Sequence, residues 1–353
     1  MSRFMTQLHS SLEAYVPGEQ PQDKLYIKLN TNESPFPPSP GVEAAAAAAS
    51  RQLQLYSDPE NRELTDLCAQ LYGVDSQQIL LTNGSDEILN FAFWTFCGPD
   101  KPAAFPDITY GFYSVFADLH RIPSQKIPLK EDFSIDYRDY CGLNKTVFIA
   151  NPNAPTGLLL PNRQIEEILK SNPDNVVVID EAYADFSGST CLPLLEKYDN
   201  LLITRTFSKS YSMAGARLGL GIGSKALIRD LNTIKYSTNP YNVNRMTAAA
   251  GIAALKENEY YMDNCQVICR NREHTKALLE DMGFTVLPSS TNFLFAKNPK
   301  IGGRDLYLAL KGRGILVRHF GSQRTTDYIR VTIGTREQMG AFLAATREIL
   351  EEC

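Results

Sequence analysis

The sequence predicts an α/β protein with a mainly parallel central sheet in a large domain, a smaller α+β domain, and an N-terminal arm. Three observations carry this expectation. Between residues 60 and 240 helical segments alternate with short apolar runs, the pattern of strands and helices in a mainly parallel sheet. After residue 243 a stretch rich in Ala and Leu leads into a separate group of strand-like segments. Residues 1–40 hold Pro17, Pro21, Pro35, Pro37, Pro38 and Pro40 and read as an extended arm.

Taken in order, the arm contains two distinctive pieces, Tyr15-Val-Pro-Gly18 and Leu29-Asn-Thr-Asn-Glu-Ser-Pro35. Ser39-Pro40 then opens a helix through the alanines 44–49, with Ser39 at the N-cap and proline in the first turn. Apolar runs predict strands at 79–82, 103–105, 146–150, 176–180, 201–204 and 218–222, with helices near 61–72, 86–97, 110–120, 161–171 and 224–235. In the last third, 292–296, 314–317 and 328–332 read as strands, and a final helix follows Gly334. The division expected is an arm over 1–45 that joins the small domain, a large domain over 46–260 and a small one over 261–353. The boundary falls inside a long helix.

Composition narrows the function. The chain has 353 residues, 43% of them hydrophobic, enough for a proper core. A net charge of −5 without a basic block gives no nucleic-acid surface, so small molecules are the expected partners. No apolar run approaches the ~20 residues of a membrane span, and the first residues lack a signal-peptide core, so the cytoplasm is the expected location. The seven cysteines are scattered, apart from Cys265 and Cys269, and make no disulfide framework. Four isolated histidines add no metal-ligand spacing, and no metal is expected.

The chemistry gathers at strand ends, where open α/β sheets bind ligands. The run Leu201-Leu-Ile203 delivers Lys209 into a cluster of Thr206, Ser208, Ser210 and Ser212, with Arg217 eight residues on. Those donors suit an anion. Asn83-Gly-Ser-Asp-Glu-Ile88 turns a strand into a helix, where Gly84 permits close backbone approach and Ser85 can cap. Val176-Val-Val-Ile-Asp180 ends a buried strand in an acid that needs a cation, and Tyr183 follows three residues later. Asn151-Pro-Asn-Ala-Pro-Thr-Gly157 is a rigid turn, and Tyr110-Gly-Phe-Tyr113 supplies aromatic rings. Gly219-x-Gly221-x-Gly223 has the wrong spacing and place for a dinucleotide loop, so close sheet packing explains it better than a nicotinamide site.

Together these pieces resemble the fold-type I pyridoxal-phosphate (PLP) aminotransferases, and within them the histidinol-phosphate aminotransferases. The motifs fall in that family's order from Tyr15-Val-Pro-Gly to Ile329-Arg-Val-Thr-Ile-Gly334. The resemblance implies that Lys209 bonds the cofactor and later moves the substrate proton. It implies that the cofactor phosphate lies on Gly84, Ser85 and Asp86, held also by Ser208, Arg217 and Thr206. Asp180 would pair with the ring nitrogen, Tyr110 would stack on the ring, and Tyr183 would bond the ring oxygen. Tyr56 would reach the phosphate of a neighbouring subunit, which implies a homodimer with composite sites. The family usually has Asn before Pro-Thr-Gly; this chain has Ala154, with Asn153 as the nearest substitute.

On the substrate side the resemblance points to Arg330, Arg318, Tyr15 and Asn32. The implied reaction is amino transfer between glutamate and imidazole-acetol phosphate, giving L-histidinol phosphate and 2-oxoglutarate in histidine biosynthesis. An aromatic-amino-acid aminotransferase and a threonine-phosphate decarboxylase of the same fold are the alternatives.

Overall fold

The computed structural model describes residues 2–353. The arm carries β1 (Ile27–Lys28) and leads into α1 (Pro40–Ala49). Next come α2 (Arg62–Tyr72), β2 (Ile79–Thr82), α3 (Ser85–Phe96), β3 (Ala103–Pro106), α4 (Phe112–His120), β4 (Ser124–Ile127) and β5 (Thr146–Ala150). They are followed by α5 (Asn162–Ser171), β6 (Val177–Asp180), the short α6 (Ala184–Ser187), β7 (Leu201–Thr206), β8 (Gly219–Gly223) and α7 (Lys225–Thr238). Helices α8 (Arg245–Lys256) and α9 (Asn258–Asp281) lead to β9 (Thr285–Val286), β10 (Phe293–Lys297) and α10 (Gly303–Gly312). The chain closes with β11 (Ile315–Leu316), β12 (Arg318–His319), β13 (Ile329–Thr332) and α11 (Arg336–Glu352).

Seven strands form the central sheet in the order β2-β8-β7-β6-β5-β3-β4, and β8 alone runs antiparallel to its neighbours. The expected α/β class with a mainly parallel sheet is therefore the observed one. Strands β5, β6 and β7 are buried along their whole length, which is why they read as continuous apolar runs. Edge strand β4 was not anticipated, because Ser124, Gln125 and Lys126 are exposed and leave no apolar run.

Register aligns the site. Ala150 pairs with Asp180 and Asp180 with Thr204, so the carboxyl ends of β5, β6 and β7 lie side by side. Because β8 is reversed, its first residue Gly219 pairs with both Thr82 and Thr206. That reversal brings Arg217, just before β8, to the same edge as the turn before α3.

The glycines of β8 are packing residues. A Cβ at Gly219 would lie 2.5 Å from the backbone of Gly84 and Ser85, and one at Gly221 would lie 2.7 Å from Ile88. Helix α3 can approach the sheet only because these positions are bare.

A second core is built on β10 and β13, with Phe293, Leu294, Val331 and Phe342 buried in it. Leu29 of the arm joins this core, and β1 pairs in parallel with β11. The segment 314–317, expected as one strand, divides at Val317: β11 holds the arm, and β12 pairs with β13. Helix α9 spans both cores, with Tyr261 in the first and Cys265 and Ile268 in the second.

Two caps differ from expectation. Ser39 precedes α1, but its hydroxyl accepts from Tyr261 at 3.0 Å instead of capping the helix. Ser85 is the first residue of α3 and Gly84 is the N-cap, with φ 76°.

Candidate active site

A cavity of 460 Å³ opens at the aligned strand ends, walled by Ser85, Asp86, Tyr110, Asp180, Thr206, Ser208, Lys209 and Arg217. Strand β7 and the turn after it put Lys209 there. Its Nζ donates to the Thr31 carbonyl at 3.3 Å. Burial, reinforced by the nearby Arg330 charge, brings its ammonium down to about 8, against the opposing pull of Glu33 and Asp86. A lysine held there is a usable nucleophile and proton carrier near neutral pH.

The N-terminus of the twelve-residue helix α3 faces this cavity with its free N–H groups. Thr206 Oγ1 donates to Ser208 Oγ at 3.0 Å, and Arg217 Nη1 lies 3.5 Å from the same oxygen. Arg217 Nη2 bonds Asp86 at 3.1 Å, and the Tyr110 hydroxyl donates to Asp86 at 2.6 Å. Behind them Gly84 adopts φ 76° and ψ 166°, a backbone conformation essentially confined to glycine, and a Cβ there would also lie 2.5 Å from Arg217 Nη2.

Asp180 is buried and accepts from the Tyr113 hydroxyl at 3.1 Å, Thr204 Oγ1 at 3.0 Å and the Ala182 N–H at 3.3 Å. Burial raises its carboxyl to about 6, and the Asp86 charge adds to this, while the hydroxyl donors pull the other way. Among the described residues no lysine or arginine forms an ion pair with it. The buried cation of this strand end goes one residue further, where Arg205 meets Glu181 at 2.8 Å.

These residues fit the cofactor that the resemblance implies. Three hydroxyls, a guanidinium and a helix N-terminus match a phosphate dianion. An acid without a protein cation matches a protonated ring nitrogen, and Lys209 completes the set.

A second cavity of 500 Å³ adjoins the first and shares Thr31, Tyr110, Ala154, Tyr183 and Lys209 with it. Arg330 enters from β13, its guanidinium 5.2 Å from the Phe293 ring and 5.4 Å from the Phe320 ring. Its Nη2 donates to the Asn30 carbonyl at 3.0 Å, while its buried Nε has no partner. Burial lowers its pKa. Arg318 donates to the carbonyls of Val16 and Pro17, each at 3.0 Å, and Tyr15 stacks on Phe112 at 4.2 Å. Arg318 thus pins the arm across the mouth of the cavity.

The structure therefore gathers Lys209, Asp180, Tyr183, Ser85, Asp86, Tyr110, Thr206, Ser208 and Arg217 around one space, with Gly84 behind it. Tyr15, Asn32, Arg318 and Arg330 line the adjoining one. Asn153 is a correction. Its side chain accepts from Thr109 at 2.8 Å and donates to the Ile108 carbonyl and Thr156, each at 3.0 Å, so the amide is consumed within the turn. It lines neither cavity and does not replace the missing Asn at position 154. Asn32 lines the adjoining cavity, and its amide donates to the Tyr183 hydroxyl at 2.8 Å and accepts from Thr332 at 3.0 Å. Tyr56 stands apart from both cavities, 78% exposed and stacked on Tyr241 at 4.5 Å.

Four residues make contacts that the sequence did not assign to them: Tyr113 and Thr204, which bond Asp180, and Thr31 and Glu33, which flank Lys209. Thr204 was within reach of the sequence, since it lies on the same strand as Thr206.

The aminotransferase class I and II family model matches residues 24–345. Histidinol-phosphate aminotransferase from Brachyspira hyodysenteriae is 50% identical over 353 residues, covering 99% of this chain and 100% of that protein. The enzyme of the same name from a Marinomonas species is 47% identical, with the same coverage. Among solved structures, histidinol-phosphate aminotransferase from Sinorhizobium meliloti in complex with pyridoxal-5'-phosphate aligns with a TM-score of 0.87 at 24% identity. That alignment covers 100% of this chain and 99% of the other. Lys209 and its cradle thus sit in a chain whose whole length matches one group of enzymes: it belongs to the aminotransferase class I and II family.

Proposed function

We propose that the chain transfers the amino group of glutamate to imidazole-acetol phosphate, giving L-histidinol phosphate and 2-oxoglutarate in histidine biosynthesis, with pyridoxal 5'-phosphate as cofactor. The observation that carries this reading is the meeting of two cavities at Lys209, one lined by phosphate donors and an unpaired acid, the other by two arginines. Bound in the first, the cofactor supplies the electron sink that amino transfer requires.

The protein's own groups have distinct tasks. The start of α3, Ser85, Thr206, Ser208 and Arg217 hold the phosphate. Asp180, whose carboxyl burial and the Asp86 charge raise to about 6 against its hydrogen-bond donors, would pair with a protonated ring nitrogen and so be held in its ionised form. Lys209 would hold the cofactor and would carry a proton to and from the substrate carbon. Arg330 presents a planar fork to the glutamate carboxylate, and Arg318 with Tyr15 takes the phosphate ester. One pocket so accommodates a dicarboxylic amino acid and a phosphorylated imidazole in turn.

We further propose a cytoplasmic homodimer in which Tyr56 reaches the partner subunit's cofactor phosphate. Its exposure and its distance from the cavities of its own chain support this. The division into an arm to residue 45, a large domain to 260 and a small domain beyond it belongs to the same reading, supported by the core around β10 and β13, which gathers most of the buried apolar residues beyond 260 with Leu29 of the arm.

Initial rates with glutamate and imidazole-acetol phosphate varied together test the proposal. Parallel reciprocal plots are expected, because the amino group is parked on the enzyme between substrates. Intersecting plots, or no turnover with this pair, contradict it.

A further inference from the structure

One hydroxyl on the wall around Lys209 has the direction of its proton fixed by a network that begins in the arm. Asn32 adopts a left-handed backbone with φ 55°, which asparagine tolerates better than most residues. Its N–H donates to Thr332 Oγ1 at 3.0 Å, and its carbonyl accepts from Asn292 Nδ2 at 3.0 Å. Its side chain accepts the Thr332 hydroxyl on Oδ1 at 3.0 Å and donates from Nδ2 to the Tyr183 hydroxyl oxygen at 2.8 Å.

The directions follow from these bonds taken together. The Asn32 N–H takes one acceptor position of Thr332 Oγ1, and the single Thr332 proton has Asn32 Oδ1 as its acceptor at 3.0 Å. That sets the amide orientation and turns Nδ2 toward Tyr183. A tyrosine hydroxyl has one proton to give; having accepted from Asn32, it donates on its other side, and Tyr183 lines both cavities that meet at Lys209.

The adjacent turn offers no alternative donor. Asn151 exchanges both its side-chain bonds with Leu160, at 3.0 and 2.7 Å, and Asn153 is consumed as described. Ala154 presents a methyl group.

We propose that Asn32 is a positioning residue that aims the Tyr183 proton at an anionic oxygen on the ring of the bound cofactor. This rests on the cofactor reading above. Donation to that oxygen favours its anion and lowers the proton affinity of the adjacent nitrogen supplied by Lys209. The other charged or titratable groups facing Tyr183 are Arg330, Asp180 and Tyr15. Lys209, Glu33, Asp86, Arg217 and Tyr110 face one cavity it lines and Asp107, Arg318 and His319 the other, and all of these are common to every variant below.

The test is a pH titration of the absorbance of the full-length protein loaded with PLP. Tyr183→Phe should raise the midpoint by about one pH unit, the scale of one hydrogen bond to a charged group. Asn32→Gly keeps the backbone conformation and removes the amide, and should raise the midpoint in the same direction by a smaller amount. Asn32→Asp, nearly isosteric, turns an acceptor toward Tyr183 and should raise it further. In a Tyr183→Phe background Asn32→Gly should add no shift. The proposal is overturned if Asn32→Gly and Asn32→Asp titrate with the wild type while Tyr183→Phe does not. It is overturned equally if the Asn32→Gly shift persists without the tyrosine hydroxyl. Should Asn32→Gly fail to fold, Asn32→Asp alone decides by the same comparison. A wild-type protein with no cofactor band overturns the cofactor reading itself, a distinct result.

Discussion

Arg318 and Arg330 are direct partners across the antiparallel pair β12–β13. Like charges placed opposite each other on a sheet repel, and Arg318 contributes to the lowered pKa of Arg330. Such a pair is relieved by an anion between or beside the two guanidiniums, which is what a substrate carboxylate or phosphate supplies.

The two arginines should fail differently. Arg330→Lys replaces a fork by a point charge and should lower kcat/KM for glutamate by roughly 10²-fold, on the scale of a truncated buried charge contact. Arg318→Ala should weaken imidazole-acetol phosphate more than glutamate, and should also free the arm that it holds at Val16 and Pro17. Steady-state kinetics on both substrates, with limited proteolysis of the arm, checks this.

Lys209 costs the cofactor-free protein stability. Its folded pKa of about 8 lies below its ordinary value of 10.5, so between these pH values the unfolded chain binds more protons. The penalty is complete below pH 8 and relieved as the pH rises toward 10.5. Lys209→Met apoprotein should therefore melt above the wild type at pH 7, with the difference shrinking by pH 10, while amino transfer is abolished. Thermal melts across that range give the answer.

Asp180 behaves in the opposite sense. Its carboxyl is raised from 3.8 to about 6 without a ring cation, so the apoprotein loses stability as pH rises from 4 to 6. Asp180→Asn should remove this dependence and lower kcat by at least about 10²-fold, the scale of a lost preorganised electrostatic contact. Melting curves at pH 4 to 7 and turnover rates test the two halves separately.

Gly219→Ala drives a methyl into the backbone of Gly84 and Ser85. Neither neighbour is a flexible side-chain end, so α3 must shift. A loss of roughly 1–3 kcal/mol in chemical denaturation and weaker PLP binding are expected.

If Tyr56 completes the partner's site, then Tyr56→Ala and Lys209→Ala proteins should complement each other. Their mixed dimer has one site with both residues intact. Recovery of activity on mixing and refolding is expected, and no recovery would count against shared sites.

How much of this was legible in the sequence follows from what each residue depends on. Lys209, Ser208, Arg217 and the turn at Gly84 are local to strand ends, and apolar runs mark strand ends well. The acid Asp180 was legible for the same reason, but Tyr113 and Thr204 reach it through tertiary contact and cross-strand register. Asn153 was misleading because a turn's internal hydrogen bonds leave no periodic signal. The exposed strand β4 was missed since only Ile127 in it is buried. The antiparallel course of β8, which brings Arg217 to the cradle, is a matter of topology rather than of local pattern.

The most direct test of the account is the comparison of kcat/KM for imidazole-acetol phosphate and for phenylpyruvate, each with glutamate as donor and PLP present. A clear preference for the phosphorylated acceptor, reduced by Arg318→Ala, is the predicted result. Equal or better amination of phenylpyruvate would contradict the assignment of Arg318, Arg330 and Tyr15 to a phosphorylated substrate.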